Sequence, residues 1–252
     1  MGGRWVIRDL GSRNGTQLAG RRLQTGEDYP LSVGDALIFG ACSGWTFEDD
    51  APPLAVARPL SGGSDRLAVG GLLALPSDDE PVAVIYQSTD SDWVIELDGS
   101  SRSVRDREFI QVGEQAWQLL LPLHLARTTE PGSGPELRFQ VSLDEEHVVV
   151  VAIENEVRFE LGARAHNYLL LTLARQRLSD RAAGLPEAER GWMHRDVLIR
   201  GLRLEPGHLN LLVHRARTAF VQAGLTGGGG LLERRINSGH IRLSTKRIQV
   251  LK

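Results

Sequence analysis

Two short stretches of the chain bring together side chains that could do chemistry. In Asp9-Leu10-Gly11-Ser12-Arg13-Asn14-Gly15-Thr16, a hydroxyl, a guanidinium and a carboxamide stand in consecutive positions ahead of a glycine. Asn-Gly tolerates positive φ in a tight turn, which leaves the side chains of Ser12, Arg13 and Asn14 free at a loop tip. Those groups suit a phosphate and the backbone of an extended peptide. The second stretch runs from Gly207 to Ala223. Leu209, Leu212, Val213, Ala216 and Phe220 recur at helical spacing as a buried stripe. Subtracting that stripe leaves Asn210, His214, Arg215, Arg217, Thr218 and Gln222 as exposed positions. Asn and Arg suit bidentate contacts to base edges in a major groove, and the others suit phosphates. Arg234, Arg235, His240 and Arg242 follow in an expected hairpin turning at Asn237-Ser238-Gly239.

The elements that must carry these groups are legible in outline. Residues 4–48 read as short strands punctuated by glycines. Asp49–Asp65 lapses into Pro and Gly as a linker. Val82–Tyr86, Trp93–Leu97, Phe109–Val112 and Trp117–Leu121 are β-like, and Thr128–Pro135 is a second linker. Asp92-Trp93-Val94-Ile95-Glu96 echoes Arg4-Trp5-Val6-Ile7-Arg8. The echo fits either a degenerate second copy or a chance likeness of hairpins. Beyond Glu136 an antiparallel meander is expected over Leu137–Val141, Val148–Ile153 and Val157–Leu161. Helices follow over Ala163–Leu178, Trp192–Leu202 and Gly207–Ala223, the last starting at Pro206 and stopping at Gly224. Gly227–Gly230 reads as a flexible turn, and Arg247–Leu251 as an added strand. His166 reads as a packing or capping residue.

The 252 residues carry 29 Lys+Arg against 32 Asp+Glu, but the charge is split. Residues 163–252 hold 16 cations and 6 anions, a net +10, whereas residues 1–162 hold a net −13. A basic C-terminal third points to a polyanionic partner. No apolar run reaches the ~18 residues of a membrane helix, and no signal peptide stands at the start. With Cys42 the single cysteine, the expected compartment is the cytoplasm.

The Asp9–Thr16 string, with Gly20, Leu31, Gly34-Asp35 and Phe39-Gly40 after it, resembles the second half of a forkhead-associated (FHA) domain. That resemblance implies a β-sandwich whose loops bind phosphothreonine peptides. Asn14 would hold the ligand backbone, with Ser12 and Arg13 beside the phosphopeptide. It covers about residues 3–50. The family's Gly-Arg strand and Ser-Arg-x-x-His loop, which make the main phosphate contacts, have no counterpart here. The expectation is an upstream gene start, a shortened chain or a relic half-domain. Such a half-sandwich would expose apolar faces, for residues 66–123 to cover. The order of small sheet, three helices and terminal hairpin, with Leu209-Asn210-Leu211-Leu212-Val213-His214-Arg215-Ala216-Arg217 in the third helix, resembles the winged-helix domain of OmpR/PhoB-type response regulators. That resemblance implies double-stranded DNA as partner. The connection Arg203–Gly207 is short where that family's loop meets RNA polymerase, so that contact is not expected.

Catalytic constellations are absent from the sequence. Leu231-Leu232 after the glycine run rules out a P-loop, and neither Gly-x-Ser-x-Gly nor His-Glu-x-x-His occurs. Asp144-Glu145-Glu146 reads as a polar turn. The expectation is therefore a non-enzymatic α+β protein without cofactor or metal. Residues 1–50 would form the FHA-like half-sandwich, 51–65 the linker, 66–126 a β-rich segment with the FHA-like echo, and 136–252 the winged-helix domain. Its expected role is that of a DNA-binding transcriptional regulator receiving a protein signal. The alternative is a protein-interaction scaffold whose winged helix docks proteins, with the acidic part folded back over the basic third. Oligomeric state stays open.

Overall fold

A computed structural model describes residues 5–41, 44–51, 53–88, 92–97, 99–122, 134–205 and 207–251. Cys42, Pro206 and most of the linker expected over 128–135 lie outside the described residues. The chain divides into two compact units, Met1–Pro53 and Leu54–Lys252.

The first unit is built of short strands. β1 (Val6–Arg8), β2 (Thr16–Leu18), β3 (Arg21–Arg22), β4 (Asp28–Pro30), β5 (Ala36–Phe39) and β6 (Trp45–Thr46) form a β1-β4 pair and a β3-β2-β5-β6 sheet. Glycines hold the tight turns between them, and Leu23 and Leu37 are its buried apolar side chains among the described residues. Val6 stays 49% exposed and Trp45 62%. Two leucines remove too little apolar surface from water to account for a stable core.

The second unit opens with a complete β-sandwich. Its strands are β7 (Val56–Pro59), β8 (Arg66–Leu67), β9 (Leu72–Leu75), β10 (Ala83–Gln87), β11 (Trp93–Leu97), β12 (Ser100–Ser103), β13 (Phe109–Val112) and β14 (Gln115–Leu120). One sheet runs β12-β11-β10-β9 and the other β13-β14-β7-β8. Leu73, Leu75, Ile85 and Ile95 of the first meet Ala57, Ile110, Trp117 and Leu119 of the second in a shared core. The stretch expected as a linker over 51–65 is corrected here, because Val56–Pro59 pairs with β14 through Leu120↔Val56 to Trp117↔Pro59. Pro59 ends that strand, where a residue without an N–H costs the ladder least. The middle segment thus packs its apolar faces within its own unit.

The rest is α+β. β15 (Glu136–Val141), β16 (Val148–Glu154) and β17 (Val157–Ala163) form the expected meander, and Asp144–Glu146 is the turn joining its first two strands. Then come α1 (Asn167–Ala182), β18 (Met193–His194), α2 (Arg195–Gly201), α3 (His208–Gln222), β19 (Leu232–Arg234), β20 (His240–Leu243) and β21 (Ile248–Leu251). β21 returns parallel to β15, with Leu137 opposite Ile248. β18, β19 and β20 make a three-stranded sheet centred on β20. The apolar stripe of α3 (Leu209, Leu212, Val213, Ala216, Phe220) packs with Leu169, Leu173, Phe139 and Leu243 in one core. Asn167 fixes the start of α1, its side-chain amide donating to the carbonyls of Val148 (2.8 Å) and Gly162 (2.7 Å).

α3 ends at Gly224, whose φ of +81° suits the left-handed cap. Gly224 N–H donates to Val221 O (2.9 Å) and Leu225 N–H to Phe220 O (3.2 Å), a Schellman motif. The glycine run that follows is no flexible turn. Gly228, Gly229 and Gly230 form a buried 3-10 turn, and a Cβ on Gly230 would lie 2.6 Å from the carbonyl oxygen of Gln87 in β10. These glycines bring the two halves of the second unit into backbone contact. Leu72, Val84, Tyr86 and Val94, on the outer face of the β9–β12 sheet, pack against Val221 of α3. That sheet is consequently buried on both faces, which explains its near-continuous apolar strands.

Candidate functional site

In the first unit the Ser12–Gly15 loop is organised around Asp9. Its carboxylate accepts from Ser12 Oγ (2.5 Å), Ser12 N (3.3 Å), Thr16 Oγ1 (2.8 Å) and Thr25 Oγ1 (3.3 Å). The Ser12 hydroxyl bond, then that from Thr16, holds the Asp9 carboxyl below the usual carboxylate range against the opposing effect of burial. This corrects one expectation. Ser12 is not free at the loop tip, because its hydroxyl is committed to Asp9. Arg13 and Asn14 are both exposed, and the Asn14 side chain lies beside Gly40, where an added Cβ would meet it at 3.2 Å. Gly15, at φ +80°, leaves the space its Cβ would fill to the guanidinium of Arg22, which would otherwise stand 2.6 Å away. Arg13, Asn14 and Arg22 therefore cluster about one turn, and Arg22 had no signal in the sequence beyond its charge.

With a depressed pKa, Asp9 supports the loop fully above the ordinary carboxylate range, and that support is lost as pH falls through its lowered value. Asp9→Asn is expected to speed hydrogen exchange at the Ser12 amide at neutral pH and to remove the acid dependence of that exchange. NMR on the two chains reads both effects.

The basic residues of the second unit are placed differently from what amphipathicity implies. Of the positions on α3 expected to be exposed, Arg215 and Gln222 are exposed, Asn210 and Thr218 are half-buried, and His214 and Arg217 are buried. Arg217 is fully enclosed. Its Nη2 donates to Glu96 Oε1 and to Leu232 O, both at 2.6 Å, and its Cζ stands 3.8 Å above the Tyr86 ring. Tyr86 donates its hydroxyl to the same Glu96 oxygen (2.9 Å). Arg234, expected on a solvent-facing hairpin, is buried as well. Its Nε lies 2.9 Å from Glu96 Oε2 and its Nη2 donates to Asn210 Oδ1 (2.8 Å). His214 Nε2 is 3.2 Å from the carbonyl oxygen of Asp78. The reason for the correction is common to Arg217, Arg234 and His214: the sandwich sheet covers this side of α3, and a carboxylate on β11 draws two arginines inward.

Burial alone would push the Glu96 carboxyl up, but Arg217 and Arg234 hold it below its ordinary value. The same burial raises the Tyr86 hydroxyl and lowers the His214 ring. The remaining hairpin cations are half-buried and paired. Arg235 donates to Glu189 (2.9 Å) and Arg242 to Glu233 (2.6 Å), and their guanidiniums lie 4.8 and 4.3 Å from the Trp192 ring centroid. His240 meets Ser238 through Nδ1 and His194 edge-to-face at 5.1 Å. The residues that the sequence reading missed are Glu96 and Tyr86. Only their alternation within a strand marked them, and an acid at an interior β position was the available clue.

A family model of the FHA domain matches residues 1–40 of the 252. No curated protein and no solved structure matches the chain. Among the described residues no helix is long and apolar enough to cross a membrane.

Proposed function

We propose that the protein is a phosphoprotein-interaction scaffold. Its FHA-type loop takes a phosphothreonine-type segment, and its C-terminal sheet-and-helix element is held by its own sandwich in place of DNA. One observation carries the second half of this reading. Arg217, Arg234, His214 and Asn210, the residues best suited to read bases, are engaged in internal contacts with Glu96, Leu232, Asp78 and one another. At the loop, Arg13 is the cation for the phosphate, Asn14 binds the peptide backbone and Arg22 adds charge alongside. A scaffold of this kind works as a non-enzymatic, cytoplasmic component of a signalling pathway.

A second reading keeps the element order in view. Three helices followed by a hairpin, with Arg215 exposed on the third, fit a winged-helix DNA-binding regulator that meets DNA by a face other than the covered one. Fluorescence anisotropy on the full chain separates the two. The scaffold reading expects a phosphothreonine peptide to bind, its unphosphorylated twin not to bind, and Arg13→Ala to weaken binding by about tenfold or more. Mixed duplex DNA should give no steeply salt-dependent binding. Duplex binding that falls with salt in proportion to the phosphates contacted, and that Arg215→Glu abolishes, would replace the scaffold with the regulator.

A further inference from the structure

A cleft of about 340 Å³ lies within the second unit, between Gly99–Ser101 at the start of β12 and the Asn237–Gly239 turn of the C-terminal sheet. That volume is at the lower end of small-ligand sites. We propose that this cleft binds a phosphate-class oxyanion, with Arg195 as its cation and His194 as a second donor.

The argument starts from Arg195. Its side chain is two-thirds buried, yet among the described residues its guanidinium makes no hydrogen bond, and its single ion pair is a 4.0 Å approach to the exposed Asp196. A guanidinium carries five N–H donors and no acceptor, and none of the Arg195 nitrogens is sealed from solvent, so those donors are open to a ligand. Here they face a cleft whose lining holds no carboxylate among the described residues: Ser100 and Asn237 supply a hydroxyl and an amide, while Ser101 and Ser238 direct their hydroxyls to the Arg235 carbonyl.

Two glycines make room for the cation. A Cβ on Gly99 would stand 2.5 Å from Arg195 Nη1, and one on Gly239 would stand 3.5 Å from Arg195 Cδ. Both adopt positive φ, +76° and +68°. His194 is oriented by the same turn. Its Nδ1 accepts from the Asp196 backbone N–H (3.3 Å), so in the neutral ring the proton sits on Nε2, the nitrogen beside Gly239. The ring therefore offers an N–H from the same wall as the guanidinium. Arg234 Nη1 donates to the Gly99 carbonyl (3.3 Å) and steadies the opposite wall from behind. A tetrahedral dianion matches this set: one fork of donors, one imidazole N–H, and the neutral Ser100 hydroxyl and Asn237 amide around it. Asp196, 3.5 Å from His194 Nδ1 and 4.0 Å from Arg195 Nε, carries the opposing charge.

The site is separate from the FHA-type loop, so the test uses the full chain carrying Arg13→Ala, which silences that loop. Inorganic phosphate, phosphoserine and a nucleoside monophosphate are titrated by isothermal calorimetry. Saturable phosphate binding is expected, weakened at least about tenfold by Arg195→Gln, partly restored by Arg195→Lys and tightened by Asp196→Asn. Stronger binding of phosphoserine or of the nucleotide identifies the larger molecule that bears the phosphate. No saturation up to about 10 mM phosphate, or binding indifferent to Arg195→Gln in a chain with an unchanged melting temperature, overturns the proposal.

Discussion

Glu96→Ala is expected to cost the second unit about 3–5 kcal/mol, the range for breaking a buried ion pair by removing one partner. Glu96 is the hub of the contact between sandwich and α3. It faces Arg217 at 2.6 Å and Arg234 at 2.9 Å, and it accepts from Tyr86 at 2.9 Å. Without it the Arg217 guanidinium stays wholly buried, with the Leu232 carbonyl and the Tyr86 ring as its partners. A lone charge in that position either draws water into the interface or separates the elements around it. Arg217→Met behaves differently because it removes a charge and keeps apolar volume. It leaves Glu96 with Arg234 and Tyr86, so a smaller loss is expected. The double variant should recover part of the Glu96→Ala loss, since removing both charges lifts the desolvation penalty. Urea denaturation of the four chains closes the cycle. A loss below about 1 kcal/mol for Glu96→Ala would mean that this cluster does not hold the interface.

The second large effect is a loss of stability in mild acid. His166 precedes α1, is 6% exposed, and its Nε2 has no hydrogen-bond partner. Burial first, then the charges of Arg164 and Arg215, push its pKa down to about 4. In the unfolded chain a histidine titrates near 6.5. Between those values the unfolded state binds a proton that the folded state refuses, so stability is complete above about pH 6.5 and is lost progressively toward pH 4. The full loss is roughly 3 kcal/mol. His214, lowered by burial against the Asp78 carbonyl, adds to the same slope. Urea midpoints measured from pH 7 to 4.5 should fall, and His166→Leu should flatten the fall while leaving stability at pH 7 close to that of the parent. An unchanged slope in that variant would assign the acid sensitivity elsewhere. Glu96 acts in a lower window, because its carboxyl is held below the ordinary range, so the two contributions separate along the pH axis.

Local pattern carried far in the C-terminal part. The apolar rhythm of Leu209, Leu212, Val213, Ala216 and Phe220 is the buried stripe of α3, and Gly224 stops that helix. The meander over β15–β17 and the hairpin of β19 and β20 stand where alternation and turn residues put them. α1 starts at Asn167, four residues later than the periodicity implied, because the β17 strand continues to Ala163 and Asn167 is drawn onto the sheet's carbonyls. Val56–Pro59 was hidden among prolines and glycines. Its strand pairing comes from β14, some sixty residues away, which no local window contains.

The candidate site divides along the same line. The Asp9–Thr16 loop is written in a contiguous string, because a tight turn is set by neighbours in the chain and by glycines that tolerate its φ values. Even there, the pairing of Ser12 with Asp9 depends on how the turn closes. The fate of the basic helix was not written locally at all. Helical periodicity separates an apolar stripe from a polar face, but it does not say whether that polar face meets water, a polyanion or another part of the chain. Here a second sheet, with Glu96 at its centre and a run of glycines small enough to admit it, covers the face that charge counting left open. Burial and ion pairing arise from what approaches through space, and for Arg217, Arg234 and His214 that partner lies up to 138 residues distant.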